Sequence, residues 1–393
     1  MTNISLPLAE TFPRQLLKED PTTRLAYFQQ KVIAHPLLVE ADQMLMSAIQ
    51  SPAETALIFV IGPSGVGKTT LRLRAERKLI EAALPELTQY PGQLPSASME
   101  AIPPESGYFS WRDYYTRALL ALREPGQLIA YKSAMDTKDD ATMRLLHRTH
   151  PRLFGATCGV AELRRALELC LLHRRPRAFF VDEAQHLKKV SSGRRLLDQM
   201  DILKSLAGMT QTLHVLVGTY ELCSLTNLSA QLGRRSIVVH LRRYHHDQNA
   251  DMHAFKRVVL TFQRHLPVAE EPNWVEEIDY LYERCGGCVG ALKSWFQRAL
   301  ALALERGDKT ITRRHLDRVI DATGVLQMAR EINQGEAIWQ ETDAHQHELR
   351  RLLGMRQQPS SSAPQNPSPP RQPRRVGQRK PVRDPAHRQE AQA

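Results

Sequence analysis

The 393-residue chain has no run of eighteen apolar residues, so no helix of it is expected to span a membrane. Its first residues, Met1-Thr2-Asn3-Ile4-Ser5, lack the charged start and apolar stretch of a signal peptide. Cysteines are few for the length, five in all. An odd, sparse set argues against a disulfide framework, and the cytoplasm is the expected compartment. Cys285-Gly286-Gly287-Cys288 has no second pair at zinc spacing and no thioredoxin-like surroundings, so its expected role is structural. Acidic residues are also in deficit, 42 against 53 Lys and Arg, for a net charge of +11. That balance favours an anionic partner, nucleic acid being the commonest. The surplus is uneven. Residues 355–393 hold eight basic and two acidic side chains and so carry +6 of the +11. This stretch is Pro, Gln, Ser and Arg with almost nothing apolar, and is expected to be a disordered basic tail.

Residues 22–50 have apolar spacing near the helical period, broken at Pro36. The continuous apolar run Ala56–Ile61 ends at Gly62, the mark of a buried parallel strand running into a turn. A helix follows from Thr69 to Leu84, with Pro85 expected to end it. A short strand is expected near Ser96–Ile102 and an amphipathic helix over Tyr108–Leu122. Residues 125–159 are polar and basic, an expected insertion, and Val160–Leu172 is helical in pattern. Further buried strands are expected at Ala178–Val181, Leu213–Val217 and Ile237–Leu241, and helices alone from about residue 250 to Leu353. Strands alternating with helices make a parallel α/β sheet. The expected organisation is an N-terminal helical segment at 1–50, a nucleotide-binding core at 51–247, a helical lid at 248–354 and the tail from 355.

The chemistry begins at Gly62-Pro63-Ser64-Gly65-Val66-Gly67-Lys68-Thr69. Its glycines let backbone N–H groups turn toward phosphates, Lys68 reaches the β- and γ-phosphate oxygens, and the Thr69 hydroxyl binds magnesium. Thr70 extends the same site. The match lies between a strand and a helix, as the mechanism requires. ATP with Mg²⁺ is therefore the expected ligand. The second element is Phe179-Phe180-Val181-Asp182-Glu183, a hydrophobic strand ending in two acids. Asp182 is expected to hold magnesium and Glu183 to polarise the attacking water.

Other P-loop classes lack support. The Ser-Ala-Thr motif of helicases and the Asn-Lys-x-Asp motif of GTPases do not occur downstream, and small-molecule kinases usually have no second acid. These absences favour an oligomeric ATPase of the AAA+ type, in which three more polar elements are needed. Thr219, at the end of the strand before Tyr220, is the candidate sensor of the γ-phosphate. Arg234 and Arg235 precede the next strand and are candidates for an arginine that reaches a neighbouring subunit's nucleotide; a solvated basic pair is the plain alternative. Lys293, early in a helix after Gly290, is the lid candidate, although lysine cannot make a bidentate fork.

Together, Val181–Leu187, Leu216-Val217-Gly218-Thr219, the arginine pair, and Cys288–Lys293 with the later Ile311-Thr312 resemble the TniB/TnsC-type AAA+ ATPases of DNA transposons. The resemblance spans roughly residues 22–325 as one fold. It implies an ATPase that binds double-stranded DNA when loaded with ATP, forms homo-oligomeric rings or filaments, and links a target-selection protein to a transposase without cutting DNA itself. The candidate DNA contacts are Lys132, Lys138, Arg148 and Arg152 in the basic insertion, and Lys188, Lys189, Arg194 and Arg195 after the acidic pair. The alternatives are another DNA- or secretion-associated AAA+ ATPase, or a nucleotide-binding adaptor with little turnover.

Overall fold

In the computed structural model, the described residues are 11–103, 109–123, 159–188, 194–226 and 235–354. The tail, residues 125–158 of the expected insertion (with Lys132, Lys138, Arg148 and Arg152), Lys189 and Arg234 lie outside them.

Five short parallel strands build the centre. They are β1 (Leu57–Ile61), β2 (Ser96–Glu100), β3 (Ala178–Asp182), β4 (Leu213–Gly218) and β5 (Ser236–His240), in the order β2-β3-β4-β1-β5. Every residue of β1 is buried. Leu57, Phe59 and Ile61 enter one hydrophobic core, while Ile58 and Val60 enter another. A strand covered on both faces needs an apolar residue at each position, which explains the unbroken runs in the sequence. The register aligns the carboxyl ends: Ile61 lies beside Gly218 and His240, and Glu100 beside Asp182. Residues that leave this edge converge on the crevice where open α/β sheets bind ligands.

Helices flank the sheet. α1 (Pro21–Gln30) and α2 (Pro36–Gln50) precede β1, each with proline in its first turn, where the missing N–H costs nothing. Pro36 therefore starts a helix as well as interrupting the pattern. α3 (Lys68–Leu87) runs through Pro85, correcting the expected stop. A proline in the last turn forfeits one intrahelical bond, the one to the Glu81 carbonyl, while the Pro85 carbonyl, one of those left open at the helix end, accepts from the Thr88 hydroxyl at 2.7 Å. α2 and α3 are tied by Asp42, buried on α2, which accepts from Arg74 at 3.0 Å and Lys78 at 2.5 Å. α4 (Trp111–Ala121) starts at Ser110, whose hydroxyl accepts from the Asp113 N–H. α5 (Val160–Arg174) leads into β3, and α6 (Arg194–Thr210) into β4.

Beyond β5 the described residues hold helices only: α7 (Asn249–His265), α8 (Ile278–Cys285), α9 (Val289–Arg306), α10 (Arg313–Val319) and α11 (Ala322–Leu352). α7 to α10 share a third core that includes Phe255, Phe262, Leu281, Trp295, Phe296 and Leu300, and Phe28 of α1 joins it. Trp295, Phe296 and Leu300 stand at helical spacing on α9 and point together into this core. α11 lies close to the carboxyl edge of the sheet. Glu336 pairs with Arg243 at 2.7 Å, and the Trp339 ring sits 4.2 Å from that of His240. At Gly335 an added Cβ would stand 2.1 Å from the Tyr220 ring, so no side chain fits there. By contact, Met1–Asp343 form one compact unit and Ala344–Ala393 a second.

Two buried histidines carry a pH dependence. His214 on β4 and His35 at the start of α2 are almost fully enclosed, and burial pushes both imidazoles down to about 4. The unfolded chain binds these protons near pH 6.5, so between about 6.5 and 4 it holds more protons than the native state. Stability is then complete above 6.5 and falls as the pH drops through this window. Thermal melting at half-unit pH steps is expected to show the fall, and a His214→Gln variant is expected to flatten it; an unchanged slope would contradict the assignment.

Candidate nucleotide site

The phosphate loop leaves β1 at Gly62 and enters α3 at Lys68. Gly65 and Gly67 have φ of 74° and 114°, left-handed values that side chains resist. Gly62 is closed in another way, because an added Cβ would lie 2.2 Å from the Leu241 carbonyl oxygen. The loop also meets the first turn of α9. The Ala291 N–H donates to the Gly65 carbonyl at 2.8 Å, and a Cβ on Gly290 would stand 2.6 Å from the same oxygen. Glycine at 290 thus lets the loop and the helix touch, which docks the helical region onto the phosphate loop.

Lys68 is only 8% exposed, and its ammonium donates to the Gly62 and Pro63 carbonyls at 3.0 and 2.9 Å. Burial draws its pKa below the usual lysine value, against the opposing pull of Glu183. Such a cation, held by neutral carbonyls alone, gains from an anionic partner. Ser64 and Val66 complete the turn, and Pro63 accepts from the Val66 N–H. Thr70 lines a neighbouring cleft rather than the loop's mouth.

Thr69 and Asp182 meet as the sequence implies. The Thr69 hydroxyl donates to Asp182 Oδ2 at 3.1 Å, although 113 positions separate them. A hydroxyl and a carboxylate are hard oxygen donors of the kind magnesium takes alongside phosphates, so this pair fits the metal. Glu183 sits one residue beyond β3 with φ of 51°, a strained value for a side chain and one that clusters at functional sites. Its N–H donates to Asp182 Oδ1 at 3.0 Å, and its carboxylate accepts from the Gln185 amide. Gln185 in turn accepts from the Thr219 N–H at 3.3 Å. A Cβ on Gly218 would meet the same Gln185 oxygen at 2.3 Å, so glycine there keeps the glutamine in place. The Thr219 hydroxyl is buried and has no hydrogen-bond partner among the described residues. An orphaned hydroxyl beside the acidic pair is a donor left for a ligand.

Other sequence candidates fall elsewhere. Arg235 lies before β5, at the opposite end of the strands. Its carbonyl accepts from Ala56 and Leu57, and its exposed side chain borders a hollow with Glu54, Asp201 and Lys204. The length of β1, roughly 15 Å at 3.3 Å per residue, separates it from this chain's own phosphate loop. Lys293, by contrast, lines the cleft beside the loop together with Gly67 and Thr70; its ammonium donates to the Gln29 carbonyl at 2.7 Å, joining α9 to α1, and burial lowers its pKa. Lys188 ends a half-buried turn after Leu187, and Arg194 and Arg195 are the first residues of α6.

Two parts of the site escaped sequence reasoning. One is a cleft beside the loop, bordered by Val32, Ile33, His35 and Leu38 from the α1–α2 connection and by Phe262 and Val289 from the helical region. An apolar slot next to a phosphate loop suits a flat base. Nothing local in the sequence marks it, because its walls are more than 220 positions apart. The other is Arg72, whose Nε donates to Asp182 Oδ2 at 3.0 Å. Its signal was available: it falls three residues after Thr69 and so shares a helix face with it.

The fold and the converging loop, acid and hydroxyl define a P-loop protein with the AAA+ architecture, a parallel sheet flanked by helices and followed by a helical region. Residues 53–225 match the AAA domain family. No curated protein matches the chain. Among solved structures, the Walker-type ATPase PABY2304 of Pyrococcus abyssi is 18% identical, over 80% of this chain and 75% of that one, with a TM-score of 0.43. The ORC2 protein of Aeropyrum pernix, determined as ADPNP and ADP complexes, is 15% identical over 74% and 70%, with a TM-score of 0.46. The Drosophila ORC bound to DNA is 15% identical over 81% and 68%, with a TM-score of 0.41. No described helix is long and apolar enough to cross a membrane.

Proposed function

We propose that this chain hydrolyses ATP, assembles with further copies on duplex DNA and links a target-selection protein to a transposase. The observation that carries the ATPase reading is the convergence of Lys68, Thr69, Asp182, Glu183 and Thr219 at one edge of the sheet. The loop N–H groups and Lys68 hold the phosphates. Thr69 and Asp182 would hold magnesium, which would draw charge from the phosphate oxygens. Glu183 accepts the proton of the attacking water, and the Thr219 hydroxyl orients the water or the γ-phosphate. For Glu183 to do so, the Gln185 amide must share or release it. Assembly is supported by the position of Arg235, too far from its own loop to act there.

Transposition is supported by the sequence resemblance across the lid and sensor motifs. Electron microscopy on duplex DNA tests it, with ATP-dependent rings or filaments as the expected result. A neighbouring gene for an integrase-like transposase is the second expectation, and retention of that transposase should likewise need ATP. Hydrolysis with neither property would return the chain to the alternative of a different AAA+ ATPase.

The DNA contacts are assigned to the chain before residue 355, because assembly along DNA needs a repeated surface. The basic insertion is the first choice and Lys188, Lys189, Arg194 and Arg195 the second. A tail would bind phosphates regardless of nucleotide, with steep salt dependence. A chain ending at Gly354 is therefore expected to keep ATP-dependent duplex binding, weakened about a few-fold by the lost charge. Fluorescence anisotropy with and without ATP checks this. Complete loss of binding with hydrolysis intact would move the DNA site to the tail.

A further inference from the structure

Asp182 already has a cation. Arg72, one turn into α3, places its Nε 3.0 Å from Asp182 Oδ2, the same oxygen that accepts from Thr69. Its NH1 donates to Ser98 on β2 at 3.0 Å and also pairs with Glu76 one turn further along the helix. The guanidinium is 14% exposed and the Asp182 side chain 9%. The contact is therefore enclosed enough to matter, unlike an ion pair in open solvent. Arginine does not lose its proton in proteins, so the charge is permanent. The groups around it are Asp182, Glu183, Glu76 and Glu100 on the acidic side, and Lys68 on the basic side.

We propose that Arg72 competes with magnesium for Asp182, and that metal entry requires Arg72 to move onto Glu76. Three features carry this. Oδ2 has two lone pairs and both are engaged, by Thr69 and by Arg72; Oδ1 holds the Glu183 N–H. A divalent ion beside Asp182 would stand against a fixed positive charge, at short range in a partly desolvated site. Glu76, only 9% exposed, already accepts from the other arm of the guanidinium, so Arg72 has a second acid to retain when it leaves the first. The arrangement offsets the Asp182 charge before metal arrives, although the surrounding acids outnumber the cations, and sets a threshold for magnesium. This rests on the reading of the loop as a nucleotide site.

The test is binding of the fluorescent nucleotide MANT-ATP to the full chain across a magnesium titration, with thermal melting as a check on folding. Arg72→Gln is expected to lower the half-saturating magnesium concentration on the order of tenfold, within the usual range of coupling between sites. Affinity for MANT-ATP at saturating magnesium should stay within about threefold, an expectation of the same coupling argument. Glu76→Gln removes the second acid and is expected to raise the magnesium requirement. Unchanged or opposite requirements in both variants, with MANT-ATP still bound, would overturn the role of Arg72 alone. Loss of MANT-ATP binding in Arg72→Gln at saturating magnesium would make it a nucleotide contact and equally overturn the proposal. Failure of the wild-type chain to bind MANT-ATP would remove the nucleotide reading and this inference with it.

Discussion

Lys68→Ala is expected to abolish ATP binding, while Glu183→Gln is expected to keep binding and stop hydrolysis. The two roles separate because the side chains sit on different elements. Lys68 is a buried ammonium at the start of α3, held by two backbone carbonyls. Removing one partner of a desolvated charge pair typically costs 2–5 kcal/mol or more, so MANT-ATP affinity should fall by about a hundredfold or beyond. Glu183 acts on Lys68 by charge, and its own hydrogen bonds run to Asp182 and Gln185 instead of the loop. It stands past the end of β3, held through Gln185 toward Thr219. A glutamine there keeps the shape and loses the base, so steady-state phosphate release should fall by about 10²–10⁴ with nucleotide affinity nearly unchanged. Wild-type turnover by Glu183→Gln would show that another group takes the proton. Retained tight binding by Lys68→Ala would show that the loop is not the phosphate cradle.

The parts of this site that were legible in the sequence are those whose chemistry is contiguous. The phosphate loop is eight adjacent residues; β1 is apolar at every position, and β3 at every position but its last, Asp182, because helices cover both faces of the sheet. Thr219 could be placed because it directly follows such a strand. Arg72 was legible in principle, from its helical spacing to Thr69, but a basic residue on an amphipathic helix reads first as a solvated one. The cleft beside the loop was not legible at all: Val32 and Val289 border one slot only after the helical region docks through Gly290 on Gly65. Pro85 misled because its position in the final turn, and not its presence, decides the cost. Lys293 was legible from its place early in a helix after Gly290, and it borders the cleft beside the loop. A lone ammonium cannot fork onto phosphates, and here its bond goes to the Gln29 carbonyl.

Activity is expected to return when two inactive variants are mixed, one lacking Arg234 and Arg235 and the other lacking Lys68. Arg235 lies at the amino ends of the strands, where its carbonyl holds the start of β1. The loop, Asp182 and Glu183 lie at the carboxyl ends. An arginine side chain cannot span the sheet, so a catalytic role for Arg235 requires a second copy's nucleotide. An Arg234→Ala, Arg235→Ala double variant should then bind MANT-ATP normally and lose turnover by about 10³-fold or more, the usual worth of an arginine that stabilises phosphoryl-transfer charge. Lys68→Ala keeps both arginines and lacks a usable loop. Where the two co-assemble, some interfaces pair an intact loop with an intact arginine pair, and these alone should hydrolyse ATP. Phosphate release across mixing ratios should therefore peak between the two inactive end points. A flat zero at every ratio, with both variants folded and shown to co-assemble, would mean that the arginines do not act across the interface. Activity in the double variant by itself would mean that they are the solvated basic pair of the simpler reading.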